Sequence, residues 1–190
     1  EKENGMYVRN RLDRYAVVPM ALHWFMLLLI AAVYFCTELR EALPKGSAAR
    51  EALKTGHYVL GLSVLLLAHL RLLAYITGPA PRIEPDPPRW QKLLARFMHL
   101  ALYAFMVAMP LGGWLLLSAK GQPIPFFAWE LAPLTTPDKA LAKLVDKLHE
   151  VGGTVGYALI GAHATAALFH HYVVRDSTLL RMLPSRVDKN

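Results

Sequence analysis

Eight histidines in a chain of 190 residues are the side chains best suited to chemistry, because histidine binds metals and moves protons near neutral pH. His149 and His163 lie fourteen residues apart on one predicted helix. At about 100° and about 1.5 Å per residue, the helix returns them to within about 40° of one face and separates them by about 21 Å. This spacing predicts ligands for two metal centres, one above the other.

Two further histidines lie at matching depths on other predicted helices. If the chain starts in the cytoplasm, His23 lies near the inner side of the first span and His57 near the outer side of the second. His149 is then outer and His163 inner, so depth alone pairs His57 with His149 and His23 with His163. Two imidazoles from facing helices can hold haem iron from both sides of the porphyrin. The histidines therefore predict two haem b groups stacked across a membrane.

Four apolar stretches predict the elements that carry these histidines. Each has the roughly 20 residues that cross about 30 Å of hydrocarbon, and the chain is 55% hydrophobic and only 18% charged. That composition is too apolar for a soluble domain of this size. We predict an all-α membrane protein in one domain over residues 1–190, a four-transmembrane-helix bundle enclosing two b-type haems. The predicted spans are residues 17–38, 54–77, 96–119 and 147–174.

The distribution of charge predicts the orientation of the chain. A net charge of +7 would suggest nucleic acid in a soluble protein, but here the basic residues flank the apolar spans. Thirteen of the 21 Lys and Arg residues lie before the first span, after the fourth, or in the second connection, in which we count Arg71 and Arg96 at the ends of the flanking spans. The positive-inside rule then places both termini in the cytoplasm. The single Cys36 excludes an internal disulfide and a cysteine-based iron–sulfur or zinc site.

Two glycines share helix faces with the predicted ligands. Gly156 is seven residues from each of His149 and His163, and Gly61 is one turn from His57. A glycine leaves the helix surface smooth where a porphyrin edge would press against it, so both are candidates for the haem sites. The alternative for Gly156 is close helix–helix packing.

Four other polar residues lie towards the predicted cytoplasmic side. Arg71 could pair with propionates of the inner haem or snorkel at the membrane edge. His170, seven residues beyond His163 on the same face, is the candidate for a quinone head group. His99 could line that same quinone site or bond to a neighbouring helix. His69 points about 120° away from the predicted ligand face of its helix, so we leave it out of the haem set.

Distinctive motifs surround the histidines on all four predicted helices. They are ALHW around His23, TGHYVLG around His57, HLALY from His99, KLHEVGGTVGY around His149 and GAHATAALFHHYVVRDSTLLRMLP over residues 161–184. With these motifs the chain resembles the bacterial cytochrome b561 family over nearly its whole length. The resemblance implies a four-helix diheme cytochrome b of the bacterial inner membrane, ligated at His23, His57, His149 and His163.

The resemblance also implies substrates. Family members that oxidise superoxide pass its electrons to ubiquinone, and the position matching His170 lines the quinone site. Superoxide is an anion, so we expect basic residues of the outer face to attract it. We expect no obligatory protein partner. Lys120 and Lys147 are assigned this catalytic role, with Lys139 and Lys143 beside them, the alternative being a solvated loop face.

Two other functions are consistent with the sequence. The same four-histidine arrangement serves cytochrome b anchors that link quinone to a hydrogenase-type or formate-dehydrogenase-type partner, although the short connections offer no docking domain. A haem-free transporter or assembly factor would use the histidines as relays. Such relays usually include intramembrane carboxylates, whereas Glu150 lies at a helix start.

Overall fold

The computed structural model describes residues 14–76 and 81–184, and within them the chain forms four long helices. Helix α1 runs over Val17–Ala42, α2 over Ala48–Ile76, α3 over Arg89–Ala119 and α4 over Lys139–Phe169. All four are long and apolar enough to cross a membrane, which confirms the predicted all-α membrane fold. The first 13 and last six residues of the predicted domain, and residues 77–80, lie outside the described ranges.

The helices extend beyond the apolar stretches that predicted them. Helix α4 begins at Lys139 instead of residue 147, because the Asp138 side chain accepts hydrogen bonds from the backbone N–H groups of Ala140 (2.8 Å) and Leu141 (3.0 Å). This N-cap starts a polar first turn that hydropathy does not detect. At its other end α4 continues as a π-helical turn, His170–Val174, and stops where Arg175 adopts a left-handed conformation with φ 61°.

The helices pack in chain order, α1 against α2, α2 against α3 and α3 against α4. Met26, Leu67 and Met106 contribute to one buried cluster shared by the first three helices, where close van der Waals packing holds membrane helices together. Between α1 and α4 the helices are bridged by tyrosines. Tyr34 Oη donates to the Gly153 carbonyl at 2.7 Å, and Tyr157 Oη donates to Glu38 Oε1 at 2.7 Å. Both tyrosines also line a cavity within the bundle.

The bundle has two distinct ends. We call one the hairpin end, because it carries the α1–α2 turn and an α3–α4 connection in which β1 (Pro125–Phe126) pairs antiparallel with β2 (Trp129–Glu130). Ile124 is 2% exposed beneath this hairpin and packs against Leu62 and Leu117. The connection therefore forms a lid on the helices at the hairpin end.

The opposite end, the terminal end, carries the start of α1, the α2–α3 connection and the C-terminal segment, defined as residues 176–184. This segment is hydrogen-bonded to both of the others. Trp24 Nε1 donates to the Met182 carbonyl at 2.7 Å, Arg181 Nη1 to the Pro81 carbonyl at 2.5 Å, and the Ser177 N–H to the Glu84 carbonyl at 3.0 Å. The C-terminal segment thus closes the terminal end.

Candidate cofactor site

The first histidine pair lies in a large cavity at the hairpin end. His57 on α2 and His149 on α4 face each other with ring centroids 6.2 Å apart and ring planes at 75°. Residues from all four helices line this cavity, whose volume is about 1150 Å³. The site is therefore a large cavity with one imidazole ring on each side.

His57 is oriented by α1. Its Nδ1 lies 2.9 Å from Thr37 Oγ1 and 3.3 Å from the Val33 carbonyl oxygen. A carbonyl can only accept, so a proton on Nδ1 satisfies this contact and leaves the Nε2 lone pair free. Metal-binding histidines are commonly held in this way, with the second ring nitrogen donating to a carbonyl or a side-chain oxygen.

The second histidine pair lies towards the terminal end. His23 on α1 and His163 on α4 have ring centroids 6.3 Å apart and ring planes at 64°. His99 on α3 also approaches His163, with centroids 5.7 Å apart. The structure thus brings together both pairs expected from depth and adds His99 as a neighbour of the second pair.

The histidine pairs fit haem. Metal–nitrogen bonds of about 2 Å, as imidazole makes to zinc, put the ring centroids about 6 Å apart when a metal ion lies between two rings. Nδ1 of His23 and Nδ1 of His149 are buried with no hydrogen-bond partner in the described residues, which leaves Nε2 as the nitrogen of each ring that is available to a metal ion. In the described part of the chain no three His, Cys, Asp or Glu side chains converge on a metal position. Two ligands suffice for haem, because the porphyrin supplies the other four.

The two predicted glycines have different surroundings. A Cβ built at Gly61 meets no atom within 4 Å, and this residue lines the open cavity. A Cβ at Gly156 would overlap Tyr34 Oη and the Phe105 ring. The space at Gly156 therefore holds aromatic side chains from α1 and α3. Sequence reasoning missed Gly113, where a Cβ would lie 3.4 Å from His149 Cε1.

Arg71 lies beside the second histidine pair. Its guanidinium stands over the Tyr103 ring, 5.9 Å from the centroid, and its charge is close enough to act on His23 and His163. Within residues 14–76 and 81–184, no carboxylate lies within ion-pair distance of Arg71. A half-buried cation without a counter-ion in a membrane favours an anionic group nearby.

Three of the four lysines predicted to attract superoxide line the cavity, namely Lys120, Lys143 and Lys147, whereas Lys139 is outside its lining. Lys120 Nζ is 3.2 Å from Asp146 Oδ1, and Lys147 Nζ is 2.9 Å from Glu150 Oε2. Lys143 also lines the cavity, and no carboxylate of the described residues is within ion-pair distance of it. The charges of Lys120 and Lys147 are therefore partly balanced, whereas the charge of Lys143 is not offset by a described carboxylate.

His170 is paired with a carboxylate that sequence reasoning missed. His170 Nδ1 lies 2.5 Å from Asp176 Oδ2, and Asp176 Oδ1 accepts from the Thr178 N–H at 2.8 Å. Burial raises the pKa of the Asp176 carboxyl, but the hydrogen bonds from His170 and Thr178 outweigh burial and hold it below its usual range. Asp176 is therefore an ionised group, 3% exposed, that can stabilise a protonated His170.

His69 lies apart from both pairs. Its ring is exposed on the surface of α2, and its Nδ1 bonds to the Leu65 carbonyl of the same helix at 2.7 Å. The structure does not bring it to either histidine pair.

Comparison with known proteins gives the same family over nearly the whole chain. A sequence model of the prokaryotic cytochrome b561 family matches residues 14–185. The chain is 39% identical to cytochrome b561 homolog 1 of Escherichia coli K12, over 92% of this chain and 99% of that protein. It is 31% identical to the probable superoxide oxidase CybB of Yersinia pestis, over 91% of this chain and 97% of that protein. Cytochrome b561 homolog 2 of Escherichia coli K12 is 29% identical, over 94% and 95%.

Proposed function

Because this chain belongs to the prokaryotic cytochrome b561 family, we propose that it holds two b-type haems, one between His57 and His149 and one between His23 and His163. Four apolar helices and the family make it a multi-pass electron-transfer protein of the bacterial inner membrane. The observation that carries the proposal is the equal separation of the two ring pairs, 6.2 and 6.3 Å, at two depths of one bundle. Haem iron supplies reversible one-electron chemistry when bound.

The hairpin end faces the periplasm and the terminal end the cytoplasm in this proposal. The excess of Lys and Arg in the segments of the terminal end supports that orientation. His57 and His149 then serve the periplasmic side, and His23 and His163 the cytoplasmic side. Arg71, which has no carboxylate partner in the described residues, is proposed to neutralise haem propionates on the cytoplasmic side.

Superoxide is the proposed electron donor. One relative is named a probable superoxide oxidase, and the cavity at the hairpin end has basic residues at its mouth. Among the described residues that line it, Arg40, Lys120 and Lys147 each have a carboxylate within ion-pair distance, and Lys143 has none. Lys143 is therefore the residue best placed to raise the local concentration of a small anion.

Ubiquinone is the proposed electron acceptor at the terminal end. His170 Nδ1 binds Asp176, and Nε2 has no hydrogen-bond partner in the described residues, so the imidazolium form can donate from Nε2 to a quinone oxygen and replace the proton from the cytoplasm. Two superoxide ions lose one electron each and become two molecules of dioxygen. The two electrons and two protons reduce one ubiquinone to ubiquinol.

Rapid mixing of purified protein with superoxide tests this proposal. We expect superoxide to reduce the b-type haems too quickly for slow mixing methods to follow. Ubiquinone should then restore the oxidised spectrum, with one ubiquinol formed per two superoxide ions. Superoxide dismutase added first should abolish the signal. Haem that is reduced by dithionite or quinol but not by superoxide contradicts the donor assignment. Reduction only by a co-purifying iron–sulfur subunit would favour a dehydrogenase anchor.

A further inference from the structure

The four proposed haem ligands are not held equally. His57 is the member of this set with a hydrogen bond in the described residues, since its Nδ1 contacts Thr37 and Val33. By contrast, Nδ1 of His23 and of His149 is buried without a partner there. The proposed ligand His57 at the hairpin end therefore has a hydrogen bond at its second ring nitrogen, and the proposed ligand His23 at the terminal end lacks one in the described residues.

One direction of this hydrogen bond satisfies all the contacts around Thr37. Thr37 Oγ1 is 3.4 Å from the Val33 carbonyl oxygen as well as 2.9 Å from His57 Nδ1. The carbonyl can only accept, so in this arrangement the hydroxyl hydrogen points to Val33, and the N–H at His57 Nδ1 donates to the hydroxyl oxygen and to the Val33 carbonyl. Donation by the hydroxyl also makes its oxygen a better acceptor, because hydrogen bonds in a chain polarise one another.

We propose that Thr37 is a positioning residue that sets the redox potential of the hairpin-end haem through His57, an inference that rests on the proposed function. A proton on Nδ1 that is shared with Thr37 makes Nε2 a stronger electron donor. A stronger donor stabilises ferric over ferrous iron and lowers the reduction potential. Within residues 14–76 and 81–184 no hydrogen bond supports His23 or His163 in this way, so electrons that arrive at the hairpin end are driven towards the terminal end.

A redox titration of three variants tests this role. Thr37→Val keeps the shape of the side chain and removes the hydroxyl, and Thr37→Ser keeps the hydroxyl. Thr154→Val is the matched control, because Thr154 lines the same cavity but its hydroxyl bonds to Glu150 of its own helix at 3.4 Å. The measurements are the two haem midpoint potentials and the rate at which each haem is lost to apomyoglobin.

We expect Thr37→Val to raise one midpoint potential and leave the other unchanged, with both haems retained because the Val33 carbonyl still accepts from His57. The less firmly held haem should also leave the protein faster. Thr37→Ser and Thr154→Val should both match the wild type. If both midpoint potentials of Thr37→Val equal those of the wild type, or if both shift by the same amount, the proposed role of Thr37 is wrong. The proposed function would not be affected by either result. A wild-type protein with no haem would overturn the proposed function together with this inference.

Discussion

The charged side chains that line the cavity determine how strongly it attracts an anion. Lys120 and Lys147 have the right positions but are offset by Asp146 and Glu150. An ion pair presents little net field to an approaching ion. Hydropathy and charge counting could place these lysines at the outer face, but they could not reveal the pairing, which depends on the side-chain conformations of α3 and α4.

Replacement of Lys143 by Gln should therefore slow haem reduction by superoxide more than loss of a neighbouring lysine does. We expect a decrease of a few-fold in the second-order rate constant and a weaker dependence on salt, because one exposed charge contributes about 1 kcal/mol at contact in water. The matched control is Lys139→Gln, four residues earlier on α4 and outside the cavity lining. Equal rates for the two variants would contradict this assignment.

The Asp176 carboxylate should stabilise the protein in a pH-dependent way. Its pKa in the folded protein is lowered by His170 and Thr178, so its contribution is present above the unfolded pKa of about 3.9 and is lost as the pH falls through the folded value. Asp176→Asn should lower stability at pH 7 by about 1–3 kcal/mol and by less near about pH 2, below the usual pKa range of a carboxyl group. Melting followed by circular dichroism measures this.

Glu84→Gln is the control for Asp176. It removes a carboxylate from the same end of the bundle, where the Glu84 backbone, not its side chain, makes the bonds to Ser177. We expect its melting temperature to equal that of the wild type at both pH values. An Asp176→Asn protein as stable as Glu84→Gln at pH 7 would refute the role of the His170 hydrogen bond.

At the scale of elements, the C-terminal segment is the part that sequence reasoning did not foresee. Its bonds to Trp24, Pro81 and Glu84 join residues more than 90 positions apart. Helical period and hydropathy report on one helix at a time, so they predicted the spans and the histidine faces but not these contacts. Thr37 was missed for the same reason, since its bond to His57 crosses from α1 to α2.

Loss of the Trp24 indole N–H should loosen the C-terminal segment. Trp24→Phe keeps an aromatic ring beside His23 and removes the bond to the Met182 carbonyl. A neutral hydrogen bond contributes about 1 kcal/mol, so backbone amides of residues 177–184 should exchange with solvent about fivefold faster. Hydrogen–deuterium exchange with mass spectrometry measures this change.

The opposite end of the bundle supplies a matched control. Trp114 Nε1 donates to the Ala132 carbonyl at 3.0 Å near the hairpin end, so Trp114→Phe removes the same kind of bond there. It should leave exchange in residues 177–184 unchanged. Faster exchange of these residues in Trp114→Phe, or none in Trp24→Phe, would show that the Trp24 bond does not hold the segment.

At the scale of the whole molecule, the two ends are built for different tasks. The hairpin end has an open cavity lined in part by basic residues, and its candidate ligand His57 is hydrogen-bonded. The terminal end is closed by the C-terminal segment, and it contains the His170–Asp176 pair and Arg71, which has no carboxylate partner in the described ranges. The membrane fold and the family are confirmed. The four haem ligands stay a prediction. The two ring pairs support this prediction, and they are the pairs that depth and helical phase had suggested.

The number of haems per chain in single-histidine variants tests the central claim most directly. The wild type should hold two haems. His57→Leu, His149→Leu, His23→Leu and His163→Leu should each hold one, and the remaining haem shows that the variant is folded. His99→Leu and His69→Leu should keep two, because neither ring completes a proposed pair. A wild type with fewer than two haems, or a His99→Leu protein that loses one while His23→Leu keeps both, would contradict the account.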